Sequence, residues 1–226
     1  MRAQLGVTTF GIQLKPVIPL DFFDPVTRVG EAPLRGELQL TGGFAFGMLV
    51  RTGLTRSISL ETGINQIQRR YDFRIVNDTA GQAGAEKLRW VGYEIPLVGL
   101  VYVRLGERTW MNNAIGFSLD MYPSDATRDI IDGRGYLFRS NWAQAGVVGN
   151  VGFEYRTVKS GYFYLGATFH RPFGAMAVAE LTWFDANTLP YAVRADLNGA
   201  YLTVDLRYFF FEKPDKARVF RGSGTP

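Results

Sequence analysis

Few side chains in this sequence can do acid–base or nucleophilic chemistry, and their spacing is the first constraint on function. His170 is the only histidine and there is no cysteine. The lack of cysteine removes thiol catalysis, thiolate metal sites and disulfide scaffolds. A hydrolytic role for His170 needs a serine to activate and a carboxylate to orient the ring. His170 is followed by Arg171, Pro172 and Phe173, with no serine two residues on. Ser118 and Ser140, on other segments, are the serines available to approach it. The expectation is a hydrogen-bonded interior or rim histidine, and no catalytic residue. Asp125, Asp129 and Asp132 form one acidic group, Asp21 and Asp24 another. Calcium takes six or more oxygens in a set geometry, and this spacing matches no calcium loop, so these read as solvated loop carboxylates. No Gly-x-Gly-x-x-Gly or phosphate-binding loop occurs. No metal and no cofactor are expected.

A second set of charges is spaced differently. Glu37, Glu61, Glu94, Asp120, Glu154 and Asp205, with Lys15, Arg51, Arg104 and Arg207, lie inside apolar segments at alternate positions. The elements that carry them have a period of two, the mark of a strand with two different faces. Segment 36–51 is the clearest. Leu38, Leu40, Phe44, Phe46, Met48 and Val50 share one parity; Glu37, Gln39, Thr41, Gly43, Ala45, Gly47 and Arg51 share the other.

The same pattern predicts strands over about 6–19, 36–51, 58–75, 88–105, 111–122, 139–156, 161–171 and 200–210. Trp142 falls among the polar-face residues of the sixth, and His170 on the polar face of the seventh. Short turns are expected near Arg51–Ser57, Gly106–Trp110 and Thr157–Gly161. Long loops are expected over 20–35, 76–87, 123–138 and 172–199. Strands of this length exceed the usual five or six residues, and the alternation of short turns with long loops is that of an outer-membrane barrel.

The two faces decide the environment. One is aliphatic with aromatics towards the ends, which suits lipid. The other is built of small residues and sparse charges, which suits a crowded polar lumen. The bulk numbers agree with that reading without requiring it: of 226 residues 46 % are hydrophobic and 14 % aromatic, with 26 glycines, and mean hydropathy is −0.04. No run of about 18 or more apolar residues is present, as a helical span would need. The net charge is +4, scattered rather than gathered on one face with stacking aromatics, which argues against nucleic acid as a partner. The expected fold is all-β: an eight-stranded antiparallel transmembrane up-and-down β-barrel over residues 1–211. Residues 212–226, without alternation and carrying Lys213, Lys216, Arg218 and Arg221, read as a periplasmic C-terminal tail. The rival is a soluble eight-stranded lipocalin-like barrel. An eight-stranded lumen is filled by side chains, so the inward charges are expected to pair as a structural network in a plug rather than line a pore. Outward aromatics among Trp90, Trp110, Trp142, Trp183 and the tyrosines are expected to form interfacial girdles.

Three stretches carry a family resemblance. Gly6-Val7-Thr8-Thr9-Phe10-Gly11-Ile12-Gln13-Leu14-Lys15-Pro16-Val17-Ile18-Pro19 resembles the first strand of small outer-membrane barrels of Bacteroidota, with an OmpA/OmpX-like barrel domain. So do Gly152-Phe153-Glu154-Tyr155-Arg156 with Gly161-Tyr162-Phe163-Tyr164-Leu165-Gly166, and the closing Val204-Asp205-Leu206-Arg207-Tyr208-Phe209-Phe210. Such barrels often end on a terminal aromatic, whereas a tail follows Phe211 here. The resemblance implies a bacterial outer-membrane location, with a signal peptide removed or left out ahead of Met1, and outer-membrane lipid and lipopolysaccharide around the wall. The function expected is non-enzymatic: a structural or accessory subunit of a larger outer-membrane complex for assembly, secretion or nutrient uptake, with other outer-membrane or periplasmic subunits as partners. The alternatives are an outer-leaflet lipid-modifying enzyme using His170, a surface adhesion protein, or a passive transporter.

Overall fold

Alternating side chains make strands wherever they occur in this protein. The computed structural model describes residues 7–19, 26–30, 34–55, 57–79, 81–130, 133–184 and 191–211, and among these there are thirteen strands and no helix. In chain order they are β1 (Thr8–Ile18), β2 (Val26–Val29), β3 (Leu34–Gly53), β4 (Ile58–Asn77), β5 (Gln82–Arg104), β6 (Thr109–Met121), β7 (Ala126–Ile130), β8 (Gly133–Arg139), β9 (Ala143–Arg156), β10 (Tyr162–Pro172), β11 (Ala177–Trp183), β12 (Tyr191–Leu197) and β13 (Tyr201–Phe209). Every pairing is antiparallel.

The large sheet runs β1-β13-β10-β9-β6-β5-β4-β3-β2, and β1 also pairs with β3. Eight of its strands therefore each have at least two hydrogen-bonded neighbours, and the order returns to its start. These eight are the strands expected from the alternation. The first and last strands meet in register, with Gly11 opposite Phe209 and Leu14 opposite Leu206, so neither leaves a bare edge. The short turns lie at one end of this circuit, after β3, β5 and β9.

At the other end three expectations need correcting. The segments 123–138 and 172–199 are not loops: they carry β7, β8, β11 and β12, which form a second sheet in the order β12-β11-β8-β7. The segment 76–87 is mostly strand as well, because β4 and β5 run on to a tight hairpin with Asn77 opposite Gln82. Segment 20–35 holds β2, which pairs with the start of β3. The second sheet packs on the projecting parts of β3, β4 and β5. Leu38, Leu40, Phe73, Ile75, Leu88 and Trp90 meet Leu137, Ala177, Ala179, Leu181 and Trp183 in one buried cluster. Trp90 and Trp183 thus belong to a core between two sheets and not to an interfacial girdle. Glycine permits the close approach: a Cβ on Gly135 would lie 2.6 Å from the ring of Phe73.

The third correction concerns β3. Register shifts between Leu40 and Gly42, where a bulge forms and Gly42 takes φ +136°, a backbone conformation that suits a residue without a Cβ. One extra residue exchanges the faces of a strand. Beyond the bulge Phe46 and Met48 point outward as expected, but before it Leu38 and Leu40 are buried while Glu37 and Gln39 are exposed. Two further residues leave the interior to which the alternation assigned them. Arg104, at the end of β5, is exposed and lies 5.8 Å over Trp110. Trp142 precedes β9 and is exposed. The tail 212–226, Asp21, Asp24 and Asp132 lie outside the described residues.

Leu181 is completely buried at the centre of the sheet-on-sheet contact. Leu181→Ala is expected to cost about 2–5 kcal/mol through lost burial and a residual cavity, read as a lowered unfolding midpoint by tryptophan fluorescence. A change under about 0.5 kcal/mol would mean that the two sheets do not pack on each other as described.

Candidate functional site

Inside the eight-strand circuit, strand parity gathers the charged residues in one column. Lys15 comes from β1, Arg51 from β3, Glu61 and Arg69 from β4, Glu94 from β5, Asp120 from β6, Glu154 and Arg156 from β9, and Asp205 and Arg207 from β13. All are buried except Arg156, which is half-buried. Five carboxylates (Glu61, Glu94, Asp120, Glu154, Asp205) thus face five cations (Lys15, Arg51, Arg69, Arg156, Arg207). Burying charge is tolerable only when it is paired and hydrogen-bonded, and six of the ten, Arg51, Glu61, Glu154, Arg156, Asp205 and Arg207, meet that requirement in ion pairs.

Near the short-turn end the pairs form an alternating chain. Arg207 bonds Asp205 at 2.5 Å and Glu61 at 2.7 Å. Glu61 is held by Arg51 at 2.7 Å, Arg51 reaches Glu154 at 2.5 Å, and Arg156 closes on Glu154 at 2.6 Å. Aromatic rings flank the cations: Arg51 lies 3.8 Å over Phe209, and Arg156 lies 4.9 Å over Trp110 and 5.2 Å over Tyr162. Neutral groups complete the coordination. Asp205 accepts from Thr168 at 2.5 Å, Thr203 at 2.6 Å and Asn150 at 3.1 Å, while Tyr164 donates to Asn150 at 2.7 Å. Gln13 donates to Asn65, which donates to Glu94 at 3.3 Å. The alternation puts each of these amides and hydroxyls on the polar face of its strand, and all six are buried there; the bonds they make to the charges are not readable from it.

Towards the second sheet lies the group with the most chemical capacity. His170 on β10 is 1 % exposed. Its Nε2 is 2.9 Å from Ser118 Oγ, 3.0 Å from Asp120 Oδ1 and 3.7 Å from Glu94 Oε2. Its ring stacks on Tyr201 at 4.7 Å, and the Tyr201 hydroxyl donates to Glu94. Arg69 lies 4.8 Å over the Tyr201 ring and touches the sulfur of Met176. Among the described residues, Glu94, Asp120 and His170 offer ligand atoms that all lie within 4.8 Å of one another.

Of the two serines, Ser118 reaches His170, whereas Ser140 bonds Met176 O through its backbone N–H and its hydroxyl meets no partner among the described residues. Serine, histidine and carboxylate meet here without forming a relay. In a hydrolytic triad the nucleophile and the orienting acid hold opposite nitrogens of the ring; here both crowd Nε2, and Nδ1 meets no partner among the described residues. Elsewhere, Asp125 pairs with Arg139 at 3.8 Å and Asp129 with Arg134, each partly exposed. Asp125 precedes β7 and Asp129 lies within it, each with its own arginine partner.

Removing one member of the buried chain strands its partners. Arg207→Met is expected to cost about 3–5 kcal/mol, because Glu61 and Asp205 lose a counter-charge without solvent to replace it. Arg28→Ala, which breaks the solvent-exposed pair with Glu37, is expected to cost under about 1 kcal/mol. Urea titration of the folded protein in detergent measures both, and equal effects would show that the interior is wet.

No protein-family model matches the sequence, and a search of curated proteins finds no match.

Proposed function

We propose that this protein is an eight-stranded transmembrane β-barrel of a bacterial outer membrane, without catalytic activity of its own, that serves as a structural or accessory subunit of a larger outer-membrane complex. One observation carries the reading. Around the circuit the exposed side chains are large and apolar: Phe10, Ile12 and Leu14 on β1, Phe46 and Met48 on β3, Leu97 and Val101 on β5, Ile115 and Phe117 on β6, Val151 and Phe153 on β9, Phe163 and Leu165 on β10. On the same strands Lys15, Arg51, Glu94, Asp120 and Glu154 are buried, as is Asp205 on β13. A protein that meets water turns these faces the other way, and soluble monomers rarely expose an apolar area this continuous. A lipid-facing wall around a polar interior is the arrangement of membrane barrels.

Supporting features lie at both rims. Near the short-turn end Phe163 packs tilted on Tyr208 at 5.1 Å, and Tyr208 meets Phe210 edge-on at 5.3 Å. At the other end Phe117 and Phe173 pack tilted at 6.4 Å, and Trp142 is exposed. Aromatic bands of this kind sit at the membrane–water boundary. The interior is filled by the ion chain, which favours a plug over a conduit. On this reading the short-turn end is periplasmic and the two-sheet end extracellular, where a folded sandwich in place of mobile loops offers a fixed docking surface for another subunit. Assembly, secretion and nutrient uptake are the complexes such a subunit fits. The meeting of Ser118, His170 and Asp120 is the one observation favouring the second reading, an outer-leaflet lipid-modifying enzyme. The shared nitrogen and the burial of all three weigh against it.

Ile115 is 72 % exposed near the middle of β6. In a bilayer Ile115→Arg is expected to cost about 2–4 kcal/mol and to abolish the gel-migration difference between boiled and unboiled protein in membrane fractions. In a water-soluble barrel the same change is neutral or improves solubility, and that outcome would falsify the membrane reading. Mild-detergent extraction of a tagged chain then tests the subunit role. Stoichiometric companions are expected; a lone chain with altered lipid A in its host would favour the enzyme.

A further inference from the structure

The interior ion chain accounts for most buried charges by simple pairing, but the group around His170 does not pair in that way. A neutral imidazole has one N–H to give. Here three oxygens, from Ser118, Asp120 and Glu94, stand within 3.7 Å of Nε2. One proton serves one of them well. Asp120 has a second oxygen, Oδ2, that is buried and meets no donor among the described residues. A buried carboxylate oxygen without a partner is costly. Beside it stands Gly146 on β9: a Cβ there would lie 2.9 Å from Ser118 Oγ and 3.1 Å from Asp120 Oδ2. The residue facing both oxygens is the one that adds no side chain to the space.

We propose that Glu94, Asp120 and His170 form a buried site for a single divalent transition-metal cation of the Zn2+ type. One imidazole nitrogen and two carboxylates make a mixed nitrogen–oxygen donor set, which suits zinc and its first-row neighbours better than calcium or magnesium. Zinc holds nitrogen and oxygen ligands at about 2.0–2.2 Å, so ligand atoms around it stand roughly 3–3.6 Å apart. The Nε2–Oδ1 and Nε2–Oε2 separations of 3.0 and 3.7 Å are already near that range. Ser118 Oγ occupies the position of a fourth, neutral donor.

An outer layer holds the ligands in place. Tyr201 donates to Glu94 Oε2 and stacks on the His170 ring, and Asn65 donates to Glu94 Oε1. Donors of this kind orient metal-binding carboxylates. Because the ligands come from β5, β6 and β10, the cation ties three strands of the circuit beneath the second sheet. It stabilises the fold and catalyses nothing. The inference stands whether or not the wall faces lipid.

The test uses the full chain folded from urea into detergent with equimolar Zn2+ and then desalted. The expected result is stoichiometric zinc by elemental analysis, with 15N-histidine spectra showing the single imidazole ligated through Nε2. Co2+ in place of Zn2+ is expected to give visible bands that His170→Gln removes. Tyr201→Phe keeps the stacked ring and is expected to weaken Zn2+ binding about 10–100-fold, while Asp125→Asn leaves it unchanged. Folded wild-type protein that retains no zinc, or histidine spectra identical with and without zinc, overturns the proposal. Both readouts use the unmutated chain, so they stand even if a ligand variant fails to fold.

Discussion

The constraint on which the rest of the structure depends is the buried alternation of charge from Asp205 through Arg207, Glu61, Arg51 and Glu154 to Arg156. No link in this series is dispensable to its neighbours, since each interior carboxylate is shared by more than one donor. Arg207–Glu61 joins β13 to β4 and Arg51–Glu154 joins β3 to β9 across the interior, Arg51–Glu61 links the neighbours β3 and β4, and the Asp205–Arg207 and Glu154–Arg156 pairs lie within one strand each. Backbone ladders hold each strand to the next, whereas the ion chain holds the walls of the circuit to one another. Next to the ion chain, hydrophobic packing forms smaller groups, Val98, Leu100, Tyr102, Ala114 and Val148 on the neighbouring strands β5, β6 and β9, and Leu49, Tyr164 and Phe209. The polar interior therefore gives the circuit a defined cross-section that apolar filling alone would leave less specified.

Much of this was legible in the sequence because a strand's two faces obey a strict period. Lys15, Arg51, Glu61, Glu94, Asp120, Glu154, His170, Asp205 and Arg207 are all buried where the alternation placed them. Partner choice was not legible. That Glu61 takes both Arg51 and Arg207, or that Ser118 and not Ser140 reaches His170, depends on which strands face each other across the interior. A sequence records distance along the chain, and these contacts span up to 146 residues.

The end with the long connections was misread for two physical reasons. The bulge at Leu40/Gly42 is a single added residue, so the apolar pattern of 36–51 looks continuous while its meaning reverses halfway. Leu38 and Leu40 pack inward against the second sheet, and Phe46 and Met48 face outward. The short strands β7, β8, β11 and β12 have five to seven residues each. They are rich in glycine, alanine and charge, as loops are, and β7 buries no residue fully, only resting Ala126 and Ile130 against the shared cluster. Their stability comes from a partner sheet far off in sequence, which is why local pattern underrates them.

Strand order also governs how such a chain can be assembled. β13 sits between β1 and β10, so the first strand waits for the last before either β1 or β10 has both its neighbours. Until then Glu61 has Arg51 but not Arg207, and Thr168 and Asn150 lack the Asp205 carboxylate they surround. The seven earlier strands thus form an open sheet with two bare edges and an ion chain that lacks its Asp205–Arg207 end. Arrival of nine residues completes the ladder and the ion chain together. Closure is in this sense a checkpoint: a chain cut short before Tyr201 lacks the means to finish its wall, and the cell's assembly and proteolytic machinery meets an exposed edge instead of a sealed ring.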